Sequence, residues 1–140
     1  MPLERRRDTN VIAVLFGHLL DGEAEAAAGG RRLGLAVERV NHLFAPAVAE
    51  PFAVTGQGRI DGVLSDPAQA PLCISVLRES LAPLRLRVGV GIGTLERLRE
   101  PTSGEDDAYS LAAQALQLAA RDDGLTRYLG TGEAGDVLLA

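Results

Sequence analysis

Lysine is missing altogether, so all fourteen basic residues among the 140 are arginine. That excludes Schiff-base catalysis, a lysine-dependent phosphate loop and a Ser–Lys dyad in one stroke. Tryptophan is absent too, and with two tyrosines and three phenylalanines the interior must be filled by Val, Leu, Ile and Ala. The single cysteine, Cys73, leaves no intrachain disulfide and no multi-cysteine zinc or iron–sulfur site, which suits a reducing compartment. No apolar run approaches the ~20 residues needed to span a bilayer, and the start Met1 to Arg7 leads into no signal-like segment. No G-x-S-x-G elbow occurs. The net charge of −5 repels phosphate backbones and argues against a general nucleic-acid role. The expectation is a cytoplasmic protein without a membrane segment.

What is present reads as one domain over 11–140 behind an N-terminal arm, 1–10, whose Arg5-Arg6-Arg7 run is most simply a solvated terminus. Val11 to Gly17 is a continuous β-branched apolar run, expected as a central strand buried on both faces, with His18 entering the loop beyond it. From Glu23 to Phe44 the residues Leu33, Val37, Val40 and Phe44 mark one helical face and place His42 on the other. Pro51 opens an extended piece that turns at Gly56-Gln57-Gly58 and returns over Arg59 to Leu64 as a hairpin. Asp66-Pro67 caps a second helix, with Pro71 delaying its first turn, and Ile74, Leu77 and Leu81 continue its stripe.

Leu86, Val88, Val90 and Ile92 then alternate with Arg87, Gly89, Gly91 and Gly93, a strand with one aliphatic and one nearly bare face. Ser103, Asp106 or Asp107 caps a last helix carrying Ala108, Ala112, Ala115 and Ala119, with Gly124 as its terminator. The tail from Thr126 to Leu139 offers one or two edge strands about a turn at Gly130–Gly135. The order predicts an α+β fold: a ferredoxin-like βαββαβ sheet with an additional C-terminal helix and short tail strands.

The strand Arg87-Val88-Gly89-Val90-Gly91-Ile92-Gly93, the hairpin Val54-Thr55-Gly56-Gln57-Gly58-Arg59-Ile60-Asp61, Asn41 near the end of the first helix and Glu105-Asp106-Asp107-Ala108-Tyr109 before the last together resemble the SatD family. The resemblance covers roughly residues 11–120. It implies a ferredoxin-type domain related to nucleotidyl cyclase and GGDEF palms. It also implies acids at two site positions, where this chain has His18 and Gln57. SatD-like chains often continue into a C-terminal helical segment that has no counterpart in these 140 residues.

Mg²⁺ requires hard carboxylate oxygens, so His18 and Gln57 fit a degenerate site; Asp21 and Asp61, a few residues away, are the substitutes for a shifted loop or register. Simpler readings stand beside each candidate: His18 as a strand-end residue bonded to backbone, Gly56-Gln57-Gly58 as a turn, Cys73 as a buried hydrophobe, the acidic run as a cap. The glycines 89–93 lie within a strand and do not make a dinucleotide fingerprint.

The expected function is a non-catalytic domain, with no cofactor and no metal, acting in protein binding or self-association as a homodimer across Gly89, Gly91 and Gly93. That bare face is covered either by a second subunit or by the alanine side of the last helix. The alternative is a nucleotide or anion sensor with a cleft at His18, Asp21, Gln57, Asp61 and Arg87. Metal-dependent nucleotidyl or phosphoryl transfer through Asp21 and Asp61 ranks third.

Overall fold

A computed structural model describes residues 11–20, 26–94 and 107–130. Five strands form one sheet: β1 (Val11–Leu19), β2 (Val48–Gly56), β3 (Arg59–Leu64), β4 (Leu86–Thr94) and β5 (Thr126–Gly130), in the order β2-β3-β1-β4-β5. Three α-helices join them: α1 (Ala26–Leu43), α2 (Ala70–Leu81) and α3 (Ala108–Arg121). β1 runs antiparallel to both β3 and β4, and β5 runs parallel to β4 after the α3 crossover. The first four strands are therefore the expected ferredoxin-like sheet, extended by α3 and an edge strand. Among the described residues no helix is long and apolar enough to cross a membrane.

The period of two along each strand divides the core into two layers. Ala13 and Leu15 of β1, Ile60 and Leu64 of β3 and Leu86, Val88, Val90 and Ile92 of β4 pack with Leu33, Val37 and Val40 of α1 and Ile74, Leu77 and Leu81 of α2. On the opposite face Ile12, Val14 and Val63 meet Ala108 and Ala112 of α3. This is why Val11–Gly17 reads as an unbroken apolar run: β1 is covered on both sides. The strand is two residues longer than expected. Its ladder with β4 continues through His18↔Arg87 to Leu19↔Leu86, so His18 lies in the strand and not in a loop.

α3 settles the bare face of β4. A Cβ on Gly89 would stand 2.6 Å from the Ala112 carbonyl oxygen, and one on Gly91 would overlap the Ala108 carbonyl oxygen and the Ala112 amide nitrogen. Gly93 is buried as well. The self-association surface expected at Gly89, Gly91 and Gly93 is corrected at Gly89 and Gly91, where the chain's own helix fills it. Small residues on both partners allow the backbones to approach this closely.

Local signals explain the boundaries. The Asp66 carboxylate accepts from Ala68 N–H at 3.1 Å and caps a 3-10 turn, Pro67–Gln69, after which α2 begins with Pro71 in its first turn. Asp107 caps α3 by accepting from Ser110 N–H at 2.9 Å. At the other end Gly124 N–H donates to Ala119 and Asp123 N–H to Ala120, a Schellman closure. The left-handed residue there is Asp123, φ 57°, one position before the expected Gly124; aspartate is among the side chains that tolerate that region. Among the described residues the tail forms β5; residues 131–140 lie outside them.

Candidate functional site

The sheet face that carries α3 is apolar toward the start of β1 and polar toward its end. Phe16 and His18 project there from β1, Arg59 and Asp61 from β3, and Arg87 from β4, because each set shares one side of the pleat. The register puts His18 between Arg59 and Arg87 in one row across three strands, and puts Asp61 opposite Phe16. α3 covers the row only in part. Between its Ala113, Leu116 and Gln117 and the strands lies a cleft of about 380 Å³, lined also by Phe16, His18, Thr55, Arg59 and Asp61.

Burial, then Arg59, then Arg87, lower the His18 pKa below its usual value, so the imidazole is neutral at physiological pH. Arg59, exposed at the start of β3, is then the cationic group lining the cleft. Asp61 is shifted the other way: burial, then the neighbouring Glu50, raise its pKa. Glu50 itself accepts a 2.8 Å hydrogen bond from the Tyr109 hydroxyl, which ties the first turn of α3 to β2.

Of the residues expected to converge, His18 and Asp61 do so. Gln57 does not. It is exposed at the hairpin tip, where Gly58 takes φ 73° and its carbonyl accepts from Leu19 N–H at 2.8 Å. Arg87 belongs to the same row, but its guanidinium donates to the Gly124 carbonyl at 2.7 Å and meets Asp123 at 3.3 Å, so it anchors the loop after α3 and leaves the cleft to Arg59. Asp21 lies outside the described residues. Arg59, Thr55 and the α3 wall were not foreseen; Arg59 was legible from Asp61, since residues two apart in a strand share a face.

The described donors at the cleft do not suit a catalytic Mg²⁺. One carboxylate, a neutral imidazole and an arginine offer too few anionic oxygens, and among the described residues no three of His, Cys, Asp and Glu are grouped to hold a metal ion. Cys73 is buried, with its thiol pushed up to about 12 by desolvation, and takes no part.

Solved structures decide the fold. The FimX GGDEF domain from Pseudomonas aeruginosa is similar over 91% of this chain and 89% of its own, with a TM-score of 0.59 at 14% identity. An EAL/GGDEF domain protein from M. capsulatus is similar over 90% of this chain and 92% of its own, with a TM-score of 0.53 at 17% identity. The fold is similar to that of GGDEF domains. Identities this low speak for the GGDEF architecture alone. No protein-family model matches the chain, and no curated protein does. The cleft lies at the end of β1 beside the strands of the β2–β3 hairpin, with Gln57 outside it.

Proposed function

We propose that this chain is a non-catalytic domain of nucleotidyl-cyclase-like fold that binds a small ligand in the cleft under α3. The observation that carries the reading is the meeting of Arg59, His18 and Asp61 in one cleft, with no metal-holding set of carboxylates among the described residues. A concave site with an apolar wall and a few convergent polar groups is the usual form of a small-molecule site, and Phe16 and Leu116 supply the wall. The partner-binding reading loses its main support once α3 occupies the glycines of β4.

Arg59 anchors an anionic group of the ligand. Neutral His18 and the Thr55 hydroxyl are available for hydrogen bonds to it. The SatD-like reading is compatible with this role and is supported by the glycine strand and Asn41. The test is a thermal melt of the full chain against a panel of inorganic phosphate and nucleotides, with and without Mg²⁺. Ligand that binds the native state raises the melting temperature with the logarithm of its concentration. The shift should vanish in Arg59→Ala, and no panel member should be turned over. Mg²⁺-dependent product formation lost in Asp61→Ala would contradict the proposal.

A further inference from the structure

The cleft is charged at both ends, with opposite sign. Arg59 stands at one end, with His18 beside it across the β1–β3 ladder. Asp61 stands at the other, two residues along the same face of β3, and Glu50 on the adjacent strand adds a second carboxylate behind it. Two strand residues span about 6–7 Å. Arg59 and Asp61 do not pair with each other, and among the described residues neither has an ion pair or side-chain hydrogen bond.

A ligand carrying one charge satisfies only one end. An anion on Arg59, which is itself exposed, leaves the half-buried Asp61 beside Glu50 without a partner, and a carboxylate partly withdrawn from water gains from an opposite charge. Asp61 in particular is crowded by a like charge and partly shielded from water, which is what raises its pKa. Phe16, opposite Asp61, and Leu116 give the cleft an apolar lining suited to a short methylene bridge and not to further charge.

Resting on the reading of this cleft as a ligand site, we infer that it takes a small zwitterion with well-separated charges, its carboxylate or phosphate against Arg59 and its ammonium against Asp61. A chain of a few methylenes suits two side chains set two strand residues apart, whereas an α-amino acid, with both charged groups on one carbon, bridges them poorly.

The experiment is titration calorimetry of the full chain with γ-aminobutyrate and phosphoethanolamine, and with butyrate, butylamine and inorganic phosphate as single-charge controls. A zwitterion should bind at least about tenfold more tightly than the control sharing its anionic group, a free-energy gain of about 1.4 kcal/mol. Asp61→Asn should remove that gain, so that phosphoethanolamine binds this variant no more tightly than inorganic phosphate does, while Arg59→Ala should weaken every anionic probe. Circular dichroism establishes that each variant is folded, and the wild-type comparison decides the matter alone if one is not. Phosphate binding that the ammonium does not improve would overturn the zwitterion and leave the ligand site standing. Failure of all five probes to bind would overturn both.

Discussion

Gly91 of β4 lies directly beneath Ala112 of α3, so close that even a methyl group on Gly91 would overlap the Ala112 amide nitrogen. The overlap is with backbone, which cannot swing aside as a flexible side chain does. Gly91→Ala should therefore destabilise the fold by about 1–3 kcal/mol, and Gly91→Val by more. Urea denaturation measures this. A neutral Gly91→Ala would mean that α3 does not rest on the strand.

Asn41 carries a second structural burden. Its side-chain amide donates to the Phe52 carbonyl at 2.9 Å and accepts from Phe52 N–H at 2.8 Å, binding α1 to β2 where the β2–β3 register shifts. Asn41→Ala leaves both backbone groups unpaired in a part-buried place and should cost about 2 kcal/mol. Asn41→Asp keeps the acceptor and loses the donor, so its loss should be smaller than alanine's. Equal stability of the wild type and Asn41→Ala would contradict the assignment.

Cys73 should be inert toward thiol reagents in the folded protein at mildly alkaline pH, because the reactive form is the thiolate and burial holds the thiol pKa at about 12. The folded state keeps a proton that the unfolded chain has already released, so stability declines as pH climbs from 9.0 toward that value. Labelling that proceeds at the rate of global unfolding agrees with this. Labelling at the rate of a free thiol does not.

His18 should titrate below the usual histidine value, 6.5, through burial and the charges of Arg59 and Arg87. The unfolded chain then takes up the proton first, so this residue contributes stability that is present above that pH and is lost as pH falls through its folded pKa. Arg59→Ala should raise the pKa, as followed by proton resonances of the imidazole. An unchanged value would separate the two side chains.

Much of this was legible in the residues, and the misses have physical causes. The alternation Leu86 to Gly93 told which side of β4 faces the core, and Gly56-Gln57-Gly58 told the hairpin. Composition could not tell whether the bare glycine side receives α3 or a second chain, since both would choose small residues; only the path of the chain decides. His18 was assigned to a loop because the apolar run ends at Gly17, yet hydrogen bonding to β3 and β4 carries the strand past the end of its hydrophobic pattern. Arg87 was expected in the cleft from its place in the strand. Its side chain is 13% exposed and bound to the loop after α3, a partnership between residues 36 and 37 positions apart that local sequence does not announce.

The central claim is that the cleft between α3 and the β1–β3 ladder is a binding site. It is tested most directly by amide chemical-shift mapping of the full chain titrated with inorganic phosphate, phosphoethanolamine and a nucleotide. The account predicts saturable shifts concentrated at Phe16, His18, Arg59, Asp61 and Leu116, reduced at every position in Arg59→Ala. Saturable shifts centred elsewhere, or none with any of the three, would contradict it.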